Sequence, residues 1–168
     1  MSNELAQLRQ DQVLGFLTDS ELSVLLSHAV RRDFSDGEIL LQEGIHGDSI
    51  FLIASGKVQV MRGNVQIAMR EGAHILGEMV LFDPGPRSAT AQAHSTGVSY
   101  ELSRGEVWTL LHQGQPAAIK LIQSLAVLMC QRLDEINHLV QQEVAGPQNK
   151  PGMFSGIFNR LFRRGQKK

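Results

Sequence analysis

Cysteine is nearly absent: Cys130 is the one thiol in 168 residues. One cysteine closes no internal disulfide and cannot supply a Cys-rich zinc site or a four-Cys iron–sulfur cluster within the chain. Cys130 sits in an apolar helical stretch and reads as a core residue. Aromatic residues make up only 5%, too few for a platform that stacks single-stranded nucleic acid. No apolar run approaches the roughly 20 residues that span a bilayer. Met1 to Gln12 is polar, without the apolar centre of a signal peptide, so the expected location is the cytoplasm. The histidines His28, His46, His74, His94, His112 and His138 show neither His-x-His nor His-xxx-His spacing. They read as surface or turn residues, and no metal site or cofactor is expected. Ser20, Ser23, Ser49 and Ser55 lack the context of a nucleophile elbow. No catalytic residue can be assigned, and the chain does not read as an enzyme.

Acidic residues are missing from one end. Residues 146–168 hold six Lys and Arg and no Asp or Glu, a charge of +6, whereas residues 1–145 carry −7; the whole chain has net charge −1. A mildly acidic body is thus joined to a basic tail. Hydrophobic residues at 42% and charged residues at 20% suit a packed core. The 16 glycines are well above average usage and point to many tight turns.

Residues 1–30 read as N-terminal helices. The first is expected over 3–16. Thr18-Asp-Ser-Glu21 has capping-box spacing, and Leu22, Leu25 and Leu26 give the apolar face of a second helix running to about Val30. From Arg31 to Leu102 short apolar stretches alternate with turns. The stretches are Ile39–Leu41, Ile50–Ile53, Val58–Met61, Val65–Met69 and Val98–Leu102. Among the turns are Ser35-Asp-Gly37, His46-Gly-Asp48, Ser55-Gly56 and Arg62-Gly-Asn64. This rhythm predicts a mainly β fold, a barrel, sandwich or jelly-roll-like β-roll, over residues 31–115.

A long helix is expected over 116–145, opened by Pro116. Leu121, Leu125, Leu128, Arg132, Ile136 and Leu139 recur at coiled-coil spacing, with Arg132 as the polar interruption. A parallel homodimer is one use of this stripe, and packing against the roll is the other. Gly146 to Gly152 reads as a linker. In 153–164, Phe154, Ile157, Phe158, Leu161 and Phe162 form one apolar face with Arg160, Arg163 and Arg164 between them, a basic amphipathic helix. It suits an anionic membrane interface, a groove on a partner protein, or docking on its own body.

The stretch from Leu76 to Thr90, LGEMVLFDPGPRSAT, carries the chemistry. Glu78 and Arg87 stand in small, apolar surroundings. Gly77 permits close backbone approach to a ligand. Free N–H groups of a short helical turn near Glu78 would face an anion. Arg87 suits a bidentate phosphate clamp, and Ser88 adds a hydroxyl and a backbone donor. Glu78 repels phosphate but accepts from a sugar hydroxyl. The set therefore fits a phosphorylated sugar better than free phosphate.

These residues resemble the phosphate-binding cassette of the cyclic-nucleotide-binding domains shared by bacterial catabolite activator proteins, regulatory subunits of protein kinase A and cyclic-nucleotide-gated channels. The segment RRDFSDGEILLQEGIHGDSIFLIASGKVQV is similar to the first strands of that β-roll, and the resemblance spans about residues 15–140. It implies that Arg87 and Ser88 hold a cyclic phosphate and Glu78 takes the ribose 2′-hydroxyl. Gly77, Met79 and Ala89 complete the cassette. Leu133, Ile136 and Asn137 on the long helix would face the base, Asn137 toward adenine's amino edge. Val80 stands where the family often has Ala or Gly and is expected to crowd the pocket. Ser88 does not decide the base. The resemblance favours cAMP over cGMP, because most bacterial members that resemble this chain bind cAMP.

The catabolite-activator pattern continues after the long helix into a winged helix-turn-helix of about seventy residues, whereas 24 residues follow Val144 here. Direct DNA binding is therefore not expected. The expected function is a stand-alone cyclic-nucleotide sensor that signals through protein or membrane contacts. The alternative is a ligand-independent interaction or scaffold protein with a vestigial cassette, whose Arg87 pairs with Glu78.

Overall fold

A computed structural model describes residues 2–145 of the chain. Helix α1, Ser2–Leu8, is shorter than the spacing predicts. The Asp11 carboxylate accepts from the N–H groups of Val13 (2.8 Å) and Leu14 (3.0 Å). The backbone turns there, and a separate 3₁₀ turn forms at Leu14–Phe16. Helix α2, Asp19–Ser27, starts on the expected capping box. The Glu21 N–H donates to Thr18 Oγ1 (3.3 Å), and the Thr18 N–H donates to Glu21 Oε2 (2.8 Å). Leu22, Leu25 and Leu26 are buried, as expected. The helix stops short of Val30, which opens β1, Val30–Phe34, paired with β8 along its whole length. Ladder pairing there overrides helical propensity.

Seven more strands follow: β2 Ile39–Leu41, β3 Ser49–Ser55, β4 Lys57–Arg62, β5 Val65–Glu71, β6 His74–Leu76, β7 Thr90–Ala93 and β8 Gly97–Ser103. All five predicted stretches are strands. β1 falls within the segment similar to the family's first strands, whereas β6, β7 and helix α3, Arg104–His112, were not anticipated. The strands form two antiparallel four-stranded sheets, ordered β1-β8-β3-β6 and β2-β7-β4-β5. With its flanking helices, this is the expected β-roll.

The alternation of β3 builds two cores. Ile50, Leu52 and Ala54 face a cluster under the helices, which also holds Leu8, Leu14, Leu22, Leu25, Leu102 and Leu110. Phe51 and Ile53 face a smaller cluster with Phe34, Val58, Leu76, Ala91 and Ala93. A strand covered on both faces needs an unbroken apolar run, which SIFLIAS supplies. His74 on β6 is also buried, contrary to the expected surface position.

Helix α4 runs Pro116–Ala145. Two compact units divide the chain, Met1–Met129 and Cys130–Lys168. In the first, Ala117, Ala118, Leu121 and Leu125 are buried in the helix-side core, with Leu128 packed against it. The first half of the predicted stripe thus serves the roll, and Lys120 Nζ joins Glu21 Oε1 (2.7 Å). In the second, Cys130 is exposed rather than a core residue. The linker and basic tail, 146–168, lie outside the described residues, as does the side chain of Leu139.

Candidate functional site

The cassette begins where β6 ends. Gly77 has φ +74 and turns the chain out of the strand into a 3₁₀ turn, Glu78–Leu81. L side chains resist this left-handed region. Val80 and Leu81 pin the turn to the helix-side core. Val80 is therefore a core residue, and its expected crowding of the pocket is corrected: its side chain packs inward. Glu78 is half-buried and Met79 is exposed.

The chain returns through Pro84-Gly85-Pro86 to Arg87. The segment after β2 receives it edge to edge. The Gly44 N–H donates to the Arg87 carbonyl and the Arg87 N–H donates to the Ile45 carbonyl, each at 2.9 Å. His46 and Pro86 form the adjoining bridge. The Arg87 guanidinium is partly buried and reaches across to the first sheet. Nη2 donates to the Ser49 carbonyl (2.6 Å) and Nη1 to the Gly77 carbonyl (3.3 Å). Burial pushes its pKa down from the ordinary arginine value, while the Asp48 and Glu101 carboxylates oppose that shift. No ion pair joins Arg87 to a carboxylate among the described residues. The fork keeps further N–H groups beyond the two it has committed.

Two glycines make room for this side chain. A Cβ on Gly47 would lie 2.7 Å from Nη2, and one on Gly77 would lie 2.7 Å from Nη1. Gly77 also serves its dihedral angle. Gly47 is absent from the positive-φ glycines, so space alone explains it. The next residue, Ser88, is exposed, and its hydroxyl donates weakly to Met79 Sδ (3.6 Å). Gly77 with Arg87 and Met79 with Ser88 thus join the two arms of the cassette, and Glu78 and Ala89 lie beside them in the chain. Leu133, Ile136 and Asn137 belong to the second unit and are exposed there.

Sequence reasoning missed Gly47, Ser49, Asp48 and Glu101. Ser49 presents its carbonyl to Arg87, and its hydroxyl donates to Glu101 (2.9 Å). Glu101 is held in turn by Arg32 (2.9 Å). The only local signal was His46-Gly-Asp48, which reads as a turn until the guanidinium is placed over it.

With this geometry in hand, the sequence profile of the Cyclic nucleotide-binding domain matches residues 31–114. The chain belongs to that family. The Cyclic AMP receptor protein of Thermus thermophilus is 31% identical over 124 residues, 71% of this chain and 56% of the relative. A cGMP-dependent protein kinase of Toxoplasma gondii is 27% identical over 97 residues, 58% of this chain and 10% of the kinase. The crystal structure of the Thermus thermophilus Catabolite Activator Protein superposes with a TM-score of 0.70 at 27% identity, covering 79% of this chain and 63% of that one. The chain therefore spans about half the length of the bacterial receptor and a tenth of the kinase.

Proposed function

We propose that this cyclic-nucleotide-binding domain is a cAMP-responsive regulatory module. Arg87 and Ser88 hold the cyclic phosphate and Glu78 takes the ribose hydroxyl. Gly77, Met79 and Ala89 line the cassette. Leu133, Ile136 and Asn137 meet the base. The observation that carries this reading is the state of Arg87. Its guanidinium is placed by two backbone carbonyls, so its charge stays available to an anion. The preference for cAMP over cGMP is supported by alignment over 71% of the chain with a protein named a cyclic AMP receptor. Output through a protein or membrane contact is supported by the basic amphipathic spacing of residues 153–164.

Dimerisation through α4 belongs to the same proposal, in a register different from the expected one. Leu121 and Leu125 are committed to the core. Met129, Leu133, Ile136 and Val140, beyond the part of α4 that packs on the roll, recur at spacings of four, three and four, the spacing of a coiled-coil seam. Leu133, Ile136 and Val140 are 58%, 55% and 48% exposed, so a second copy of α4 has apolar surface to cover.

The deciding experiment is isothermal titration of nucleotide-stripped protein with cAMP and, in parallel, cGMP. Micromolar or tighter cAMP binding, weaker cGMP binding and loss of both in Arg87→Ala with the fold intact are expected. Absence of heat with either nucleotide in the wild type would leave the scaffold reading with a vestigial cassette.

A further inference from the structure

One carboxylate outside the cassette connects the elements around it. Glu43 follows β2 in the segment that receives the Arg87 arm. Its N–H donates to Thr90 Oγ1 (3.0 Å), at the start of β7. Its own Oε2 accepts from the Gly63 N–H (2.6 Å), at the tip of the β4–β5 hairpin. The next two residues, Gly44 and Ile45, make the paired backbone bonds to Arg87. Residues 43–45 therefore clamp the arm 87–90 on one side, and the Glu43 side chain moors that clamp to the hairpin on the other.

The strength of each bond says what the mooring does. A carboxylate accepting from a backbone N–H is charge-assisted and roughly twice as strong as a neutral bond. By contrast, Nη1 of Arg87 lies 3.3 Å from its carbonyl acceptor, at the long end of the hydrogen-bond range. Nη2 is held more closely, 2.6 Å from the Ser49 carbonyl, but the backbone that delivers the side chain to both acceptors is set by the arm, and the arm is paired with a segment whose side-chain tether is Glu43. We infer that Glu43 is a positioning residue for nucleotide binding: its bond to the Gly63 N–H sets where Arg87 stands and so sets the affinity of the cassette. The inference rests on the proposed nucleotide-binding function. Glu43 itself touches no ligand in this scheme.

The test uses the full chain, stripped of nucleotide, as wild type, Glu43→Ala, Glu43→Gln and Thr90→Val. Two quantities are read: amide hydrogen exchange at Gly63 and Arg87 without nucleotide, and cAMP affinity. In Glu43→Ala both amides should exchange faster, and cAMP affinity should fall about tenfold, the loss expected for one charge-assisted bond acting through the arm. Glu43→Gln keeps a neutral acceptor for the Gly63 N–H and should restore part of both, leaving the variant between Glu43→Ala and the wild type. Faster exchange at Gly63 with Arg87 exchange and affinity unchanged would reduce Glu43 to a turn-closing residue and overturn the inference, as would Glu43→Gln matching Glu43→Ala. If Glu43→Ala does not fold, Thr90→Val breaks the same clamp from the arm side, and an unchanged Arg87 amide there is equally adverse. A wild type that binds neither cAMP nor cGMP refutes the proposed function instead, and exchange at Arg87 still decides the role of Glu43.

Discussion

At the residue scale the cassette turns on a side chain and the two glycines beneath it. Arg87 lies where a Cβ at position 47 would stand 2.7 Å from Nη2. Gly47→Ala should therefore displace the far end of the arginine rather than the backbone. The expected result is cAMP affinity weakened about tenfold, equivalent to roughly 1.4 kcal/mol, with the melting temperature nearly unchanged. Titration calorimetry beside a thermal melt reads both. A large loss of melting temperature with normal affinity would mean that position 47 serves the fold.

His74 sets a pH dependence of stability. Its pKa is lowered from 6.5, first by burial, with a smaller contribution from Arg70. The Gly72 carbonyl, which bonds Nδ1 at 2.8 Å, and the Asp11 carboxylate oppose the shift. Nε2 is buried without a partner among the described residues. The folded state thus favours neutral imidazole. The unfolded chain takes up a proton first as pH falls, so stability is full above about 6.5 and declines below it. Melts of wild type and His74→Leu between pH 7.5 and 5.5 should diverge, with the variant showing the shallower slope. Parallel slopes would remove His74 from the acid response.

At the scale of elements, α4 does two jobs with two faces. Leu125 is fully buried, and Leu125→Ala should cost about 2–5 kcal/mol of stability. Val140 is 48% exposed, and Val140→Asp should leave the roll's melt unchanged while turning the proposed dimer into monomers. Sedimentation reads the second effect, and a wild type that is already monomeric would end the coiled-coil proposal. Helix spacing alone did not separate these faces. Stripes one residue apart, 121-125-128 and 122-126-129, are both apolar, and only packing shows that Leu121 and Leu125 are buried while Ile122 and Leu128 lie half-covered against the same core. The start of α2 was legible for the opposite reason. A capping box is local chemistry, complete within Thr18 to Glu21.

At the scale of the whole molecule, every buried hydrophobic residue among the described residues lies at or before Leu125. The basic end follows later in the sequence, and among the described residues no helix is long and apolar enough to cross a membrane. Deleting residues 153–168 should therefore spare the fold and the nucleotide affinity while weakening binding to anionic vesicles or to a partner protein. Unchanged binding to both would remove the tail from the output.

The sequence by itself determined a mainly β fold, because Gly turns and short apolar stretches recur with a period that small strands satisfy, and the resemblance of its segments to a known family narrowed that fold to the β-roll. It also marked the candidate cassette, because Gly77, Glu78, Arg87 and Ser88 lie within one short segment whose chemistry reads locally. Tertiary structure alone decided the rest. β1 and β7 are held by their neighbours in the sheets, although VRRDF and TAQA are weak strands on their own, since strand preference depends on cross-strand partners. Ser49, Gly47 and Gly44 came to Arg87 from about forty residues away, and His74 was enclosed by sheet packing. Contacts between residues so far apart in the chain leave no periodic mark in it, whereas turns, caps and strand rhythm do.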